Sequence, residues 1–446
     1  MQDISEIFKS YDIRGTVGDQ LTTDTVEKIA RCYANWLPEK GIVAVGHDMR
    51  ADSKDLAQSF ISGLISQGYD VWDIGLVTSD MIYFAVGKWN LAGGAVITAS
   101  HNPGKDNGIK LYRDQVIAIG LDAGLSEIRD KFIANEVPQD TKEQGSVSHK
   151  SITEEWVDHC LGFIDELSGF NVAIDAGNGM AGEILPAILS KLPIRSKNMY
   201  FELDGSFPNH EANPQKVENL RDLTGEITKN QLDFGIAFDG DGDRAVFVDD
   251  QGRPVLGTDL MSIIAKRYLQ KYPGAKIVHD VRTSKATQEL IREWGGEPVR
   301  TKAGRVNIGS LMRKVGAPFG GETTGHMFFT ENYDADSGLI TALVAMQALT
   351  DSGKKLSELV DEYRRYEMPQ EINIKTNVDK TKVFAKLKQI FEDADFDELD
   401  GLTVWIDKST WFNLRASNTE PVMRLNAEAK TKKELDQLIR KVQSCL

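Results

Sequence analysis

Short apolar runs that end in polar turns, each followed by apolar residues at helical spacing, recur along the first 360 or so positions of the chain. That alternation predicts strands leading into helices. Val26, Ile29, Ala30, Tyr33 and Trp36 form an apolar stripe, with Thr22 or Thr23 placed to start the helix. Residues 11–15, Tyr-Asp-Ile-Arg-Gly, lie before it as a glycine-bounded turn. Residues 41–53 predict a buried strand, a polar turn and a helix through Ile61, Leu64 and Ile65, with Val71–Ile74 as a further strand and a helix over Met81–Val86. Gly93-Gly-Ala-Val-Ile97 predicts a fully buried strand, so Ser100 falls just past a strand end. The loop around it is punctuated by Asn102-Pro-Gly104 and Asn107-Gly108.

The scheme restarts twice. Asp140–Lys150 is polar and aperiodic, as a linker would be, and Asn171-Val-Ala-Ile-Asp175 then predicts a strand whose Gly-rich turn opens a helix through Ile184 and Leu185. Residues 204–214 predict a loop, and Asp233–Phe238 the unit's second strand, ending in Asp239-Gly-Asp-Gly-Asp-Arg244. The next restart, near Arg253, predicts a helix over Asp259–Leu269, a strand over Lys276–His279, a turn at 280–285 and a helix to Trp294. Its second strand leads into Gly320-Gly-Glu-Thr-Thr-Gly-His326. Three units thus share one plan with unequal spacing, a weak internal repeat of α/β units rather than a solenoid. From Pro369 the texture changes to strands at 371–375, 403–407, 411–415 and 422–426, with helices over 382–391 and 432–445. Paired strands with few helices predict an α+β domain with an antiparallel sheet. The expected boundaries are 1–148, 149–252, 253–367 and 368–446.

A chain of 446 residues is too long for one core. Apolar content of 41% and charged content of 27% are ordinary for a globular protein. With 52 Lys and Arg against 67 Asp and Glu, the net charge of −15 repels nucleic acid and anionic membranes. An anionic ligand therefore needs a local cationic pocket. Three distant cysteines, Cys32, Cys160 and Cys445, argue against a disulfide framework or a cysteine zinc site. Neither a leader nor an 18-residue apolar stretch is evident, so a soluble cytoplasmic protein is expected.

Four loops carry candidate chemistry. Ser100, with His101, Lys105 and Lys110 nearby, suits either a nucleophile or phosphate carrier, or a serine that only bonds its own turn. Asp239, Asp241 and Asp243, separated by glycines, can aim three carboxylates at one point, as Mg²⁺ or Ca²⁺ requires. An EF-hand fits poorly, since Arg244 stands where its glycine would be and Asp250 where its glutamate would be. A solvated acidic turn would leave three close charges in mutual repulsion. Arg244 suits a substrate phosphate or one of the aspartates. Residues 415–424 bring Arg415, Ser417, Asn418, Thr419 and Arg424 together, a donor set for a phosphate dianion or a surface turn. Glu322, Thr324 and His326 could bind sugar hydroxyls and phosphate, or His326 could be an ordinary buried histidine. His149 and His159 are expected to be structural.

Together, Thr98-Ala-Ser-His-Asn-Pro103, residues 239–244, Gly321-Glu-Thr-Thr-Gly-His326 and Arg415-Ala-Ser-Asn-Thr-Glu-Pro421 resemble, in order and spacing, the signature loops of the α-D-phosphohexomutase family. Phe207-Pro-Asn-His-Glu-Ala-Asn-Pro214 is most similar to its bacterial phosphomannomutase/phosphoglucomutase members. The resemblance spans essentially the whole chain. It implies three related α/β domains with mixed sheets and a smaller C-terminal α+β domain around a central active-site cleft. It further implies that Ser100, as phosphoserine, exchanges a phosphoryl group with hexose 1- and 6-phosphates through a hexose 1,6-bisphosphate. Mg²⁺ would be held by Ser100, Asp239, Asp241 and Asp243. Lys110, Arg14, His101 and Arg244 would surround the reacting oxygens, with Lys110 moving a proton. Tyr11, Arg282, Lys302, Arg305, Glu322, Thr324, His326, Arg415, Ser417, Asn418, Thr419 and Arg424 would bind substrate. Arg305 stands where relatives often have histidine, Arg282 where lysine is common, and Thr324 where many have serine. Small hexose phosphates are the implied partners, with no nucleic acid or membrane, for a monomer or homodimer. Phosphoglucosamine mutase, a serine phosphomonoesterase and a silent sugar-phosphate sensor are the alternatives.

Overall fold

The computed structural model describes residues 4–376, 379–416 and 422–446. The chain folds into two compact units, Met1–Val255 with Thr324–Ser357, and Leu256–Thr323 with Glu358–Leu446.

In the first unit one mixed sheet runs in the order Ile13–Thr16, Asp106–Arg113, Gly93–Ile97, Ile42–His47, Asp70–Leu76, Val147–His149. The first two neighbouring pairs are antiparallel and the remaining pairs parallel. Helices Thr23–Trp36 and Ser53–Ser66 pack on it through Val26, Ile29, Tyr33, Phe60 and Leu64. The Thr22 hydroxyl caps the first of these by accepting the Thr25 N–H at 3.1 Å. A second sheet has the order Ala245–Asp249, Phe234–Phe238, Asn171–Asp175, Arg195–Met199. Its Phe234–Phe238 strand is buried at every position, which fixes where the loop beginning at Asp239 emerges. The hairpin Met327–Phe329 with Ala335–Asp336 and the helix Gly338–Ser352, buried from Gly338 through Leu349, complete this unit.

The second unit holds three parallel strands, Glu297–Thr301, Lys276–Asp280 and Phe319–Gly321, with helices Gly257–Lys271, Lys285–Glu293 and Arg305–Val315. It also holds the expected antiparallel sheet, ordered Ile372–Lys375, Val422–Glu428, Trp411–Ala416, Leu402–Trp405, Asp395–Asp397. Leu387, Phe412, Leu414, Leu425 and Leu438 form its core with helices Lys380–Ile390 and Lys432–Gln443.

The internal repeat is visible atom by atom. Asp48, Asp175 and Asp280, each at the end of the first parallel strand of its α/β repeat, accept the backbone N–H two residues on, at 3.0, 2.8 and 2.6 Å. In two copies the sequence itself repeats. His47-Asp-Met-Arg50 and His279-Asp-Val-Arg282 share an Asp Oδ2 that accepts from arginine Nε, at 3.2 and 3.1 Å.

Several expectations need correction. The segment 11–15 is not a turn, since Arg14 lies on an edge strand paired with Gly108. Asn107-Gly108 lies inside a strand; Gly108 is needed there because a side chain would strike the Thr98 and Ile13 carbonyls. The linker 140–150 contains Val147–His149, an exposed edge strand. Phe234–Phe238 and Phe319–Gly321 are third strands of their α/β repeats, because Arg195–Met199 and Glu297–Thr301 precede them. Among the described residues no helix is long and apolar enough to cross a membrane.

Candidate active site

Ser100 sits in a left-handed backbone conformation, φ 53°, one turn past the buried strand Gly93–Ile97. Its N–H donates to Thr98 Oγ1 at 2.9 Å and its carbonyl accepts from Arg50 at 2.8 Å. The hydroxyl lies 3.0 Å from Asp239 Oδ2 and 3.1 Å from His101 Nδ1. Arg244 Nη2 donates to the same His101 nitrogen, which therefore carries no proton. Burial first, then the positive charges of Arg244 and Arg14, hold His101 well below the ordinary histidine range.

Gly240 and Gly242 let the 239–244 loop fold tightly: Gly242 takes φ 77°, and any side chain at Gly240 would collide with the Ser100 carbonyl. Asp239, Asp241 and Asp243 are all buried, with one oxygen from each lying within 4.8 Å of the others. Arg244 Nε donates to Asp239 at 2.8 Å. Lys110 Nζ, from the neighbouring sheet, bridges Asp241 at 2.5 Å and Asp243 at 2.6 Å. The Ser79 hydroxyl also donates to Asp241. Burial raises Asp239, and Asp243 and Asp241 add to the rise against the pull of Arg244. Burial and then Asp243 push Asp241 up too, but Lys110 and the Ser79 hydroxyl together bring its carboxyl below the usual range. Asp241 Oδ1 is buried with no hydrogen-bond partner, an acceptor left unsatisfied beside the other two carboxylates. Oxygen donors of this number and burial fit a hard divalent cation.

His326 joins the same cluster. Its Nδ1 is 2.6 Å from Asp336 and 3.7 Å from Asp243; burial lowers its affinity for a proton, yet the two carboxylates raise it more. Arg14 reaches the serine loop through Asn102 Oδ1, at 2.6 Å. Tyr11 is half-buried just before the edge strand of Arg14.

In the second unit, three arginines surround one carboxylate. Glu371 accepts from Arg415 at 3.0 Å and lies 3.8 Å from Arg282 and 3.7 Å from Arg424. Burial would raise its pKa, but Arg282 and Arg415 bring it below the usual range. Arg415 and Arg424 are cross-strand partners at the head of the two strands that flank residues 417–421. Ser417, Asn418 and Thr419 lie outside the described residues. Glu322 accepts the Gly304 N–H and lies 3.8 Å from Arg282. Arg305 opens the helix that follows, half-buried, and Lys302 is exposed. Thr324 belongs to the first unit, where its carbonyl accepts from Gln215 at 2.5 Å.

The structure thus gathers Ser100, His101, Lys110, Asp239, Asp241, Asp243, Arg244 and His326 in one buried cluster. It gathers Arg282, Arg415 and Arg424 around a second centre. Sequence reasoning missed Ser79, Asp336, Glu371 and Arg50. The repeated His-Asp-x-Arg was a usable signal for Arg50. Nothing local marks Asp336 or Glu371.

Comparison with known proteins agrees with this geometry. Models of the phosphoglucomutase/phosphomannomutase α/β/α domains I, II and III match residues 5–138, 154–252 and 257–366, and the C-terminal domain model matches 371–443. A protein of Xanthomonas campestris pv. campestris (strain B100) named for phosphohexose mutases is 38% identical over 429 residues, 95% of each chain. The phosphomannomutase of Escherichia coli (strain K12) is 37% identical over 435 residues, 95% of this chain and 94% of that one. The crystal structure of a phosphoglucomutase/phosphomannomutase family protein from Burkholderia thailandensis superposes with a TM-score of 0.90 at 29% identity, covering 99% of this chain and 97% of the other. With family models matching all four domains and a relative 37% identical over 95% of this chain, the chain belongs to the phosphoglucomutase/phosphomannomutase family of isomerases.

Proposed function

We propose that the chain interconverts the 1- and 6-phosphates of mannose and of glucose through phosphorylated Ser100 and a hexose 1,6-bisphosphate. The observation that carries this reading is the Ser100 hydroxyl, held in a left-handed turn 3.0 Å from Asp239 inside a buried cluster of three aspartates. A turn serine that only stabilised its loop would not need such neighbours.

In the proposed reaction the free hydroxyl of the sugar attacks the phosphorus of phosphoserine 100, the bond to Ser100 Oγ breaks, the hydroxyl proton passes to the protein, and the released Oγ takes up a proton in its place. Lys110 is the residue proposed to exchange that proton. Arg14 and Arg244 would stabilise charge on the transferring oxygens, with His101 beside them at the Ser100 oxygen. The bisphosphate then turns over and returns its other phosphate to Ser100. Asp239, Asp241, Asp243 and an oxygen of phosphoserine would hold Mg²⁺, which when bound neutralises charge on the transferring group. Arg415 and Arg424, with Ser417, Asn418 and Thr419, would hold the non-reacting phosphate. Glu322 and Thr324 would grip sugar hydroxyls, while Tyr11, Arg282, Lys302, Arg305 and His326 complete the substrate set. The proposed domains are 1–148, 149–252, 253–367 and 368–446.

Intact-mass measurement of wild type and Ser100→Ala, with turnover assays on the 1-phosphates of mannose, glucose and glucosamine, tests this. Phosphate on the wild type alone, with isomerised mannose and glucose phosphates, is expected. Inorganic phosphate without isomer would instead indicate a hydrolase, and preferred glucosamine turnover a phosphoglucosamine mutase.

A further inference from the structure

Arg50 lies outside the four signature loops, and its guanidinium has no donor to spare. Nε donates to Asp48 at 3.2 Å, Nη1 to the carbonyls of Pro103 and Asp106 at 2.8 and 2.9 Å, and Nη2 to those of Ser100 and Asn102 at 2.8 and 2.7 Å. A guanidinium has five N–H donors, so these five acceptors exhaust it. Four of the five belong to the loop that carries Ser100. Arg50 is 3% exposed, with the Phe207 ring centred 5.1 Å from its guanidinium carbon. Gly205 packs so closely that a Cβ there would stand 2.7 Å from the Arg50 Cα. Neither donors nor surface remain for a ligand.

Arg282 offers a contrast within the same chain. Both arginines hang from the same Asp-turn, but Arg282 looks toward Glu322 and Glu371, each 3.8 Å away, and so toward the groups proposed to hold ligand. In the first copy the acceptors are backbone carbonyls. One repeated element serves binding in one unit and loop geometry in the other.

Resting on the reading of Ser100 as phosphoryl carrier, we propose that Arg50 is the positioning residue of the transfer step: by gathering four carbonyls of the 100–106 loop it holds Ser100 left-handed against Asp239. A non-glycine residue keeps that conformation only where its surroundings impose it. The other restraints on the loop, among them the Ser100 N–H to Thr98 Oγ1, Arg14 to Asn102, the Val17 N–H to the Lys105 carbonyl and Asn102 to Asp106, each act at a single point. Releasing the four carbonyls frees the chain between them.

The test compares Arg50→Lys, which keeps the charge with three donors, Arg50→Gln, and Asp48→Asn, which leaves the carbonyl bonds but turns an amide N–H toward Nε. Steady-state turnover of mannose 1-phosphate, thermal unfolding, and amide hydrogen exchange over residues 98–106 are measured on each full-length protein. Both arginine variants should lose on the order of 100-fold in kcat, the effect of about 1 Å of misplacement, with little change in KM. Exchange in the loop should rise about tenfold while the strands beside it stay protected, lysine falling between wild type and glutamine. Asp48→Asn should show a smaller change in the same sense. A kcat within about twofold of wild type, a loss carried by KM, or unchanged exchange in the loop would overturn the assignment. Should the arginine variants not fold, unchanged kcat and loop exchange in Asp48→Asn would overturn it alone. A wild type with neither phosphoserine nor mutase activity would defeat the functional reading instead; the exchange measurement then still decides whether Arg50 holds the loop.

Discussion

Gly179 closes the turn after the strand Asn171–Asp175, and a methyl group there would press on backbone alone. It would stand 2.8 Å from the Gly240 carbonyl oxygen, 2.9 Å from the Gly240 Cα and 3.0 Å from the Ala176 carbonyl. Ordinary contact begins at 3.4 Å, so Gly240 must yield by about 0.6 Å, the difference between 3.4 and 2.8. Gly240 belongs to the aspartate loop and itself packs on the Ser100 carbonyl, with no room for a side chain. The displacement is therefore passed to both halves of the buried cluster. If about 1 Å costs on the order of 100-fold, about 0.6 Å should cost Gly179→Ala roughly 10- to 20-fold in kcat. Overpacking should also remove about 1–3 kcal/mol of stability. Gly225→Ala is the control: nothing lies within 4 Å of its added Cβ in the helix Arg221–Asn230. It should gain about 0.5–1 kcal/mol from helix propensity and leave kcat alone. Turnover and thermal melts on both variants check this. A Gly179→Ala enzyme that melts lower yet turns over at the wild-type rate would show that the spacing of the two loops does not limit the reaction.

Two further outcomes follow from buried charge. Glu371→Gln removes the one carboxylate shared by Arg282, Arg415 and Arg424, so inhibition by inorganic phosphate should tighten by on the order of tenfold while the melting temperature falls; a weaker or unchanged inhibition constant would contradict a phosphate role for these arginines. His210 loses proton affinity to burial but regains more from Asp175, 3.0 Å away, so its pKa is raised above 6.5 in the folded chain. A raised histidine pKa stabilises fully below the unfolded value and loses that contribution as pH climbs through the folded value. The melting-temperature gap between wild type and His210→Gln should therefore be wider at pH 6 than at pH 8, and a gap that widens with pH would refute the assignment.

The elements legible in the sequence were those whose burial is complete. Gly93–Ile97 and Phe234–Phe238 are apolar runs because both faces are covered, and the loops after them carry side chains that few other tasks require. Arg195–Met199 and Glu297–Thr301 escaped detection because edge strands can stay polar, and no residue of either is fully buried. Asn107-Gly108 misled because the glycine answers a crowding of backbones across three strands, not a turn. Asp336 and Glu371 acquire their meaning only from partners brought in by tertiary folding: His326 across a hairpin for one, Arg282 and Arg415 for the other.

The first unit is not contiguous in the chain, for its helix Gly338–Ser352 arrives only after residues 256–323 have been spent on the second unit. During synthesis, a ribosome that has just released Val255 has made that unit's earlier helices but not the one that is buried from Gly338 through Leu349. At about 5–20 residues per second, the roughly 100 residues still to come keep the covering helix away for about 5–20 s. For that interval the nascent chain carries an uncovered apolar seat, which makes it a natural client for a holding chaperone and predicts that a fragment stopped at residue 255 aggregates where the full-length chain does not.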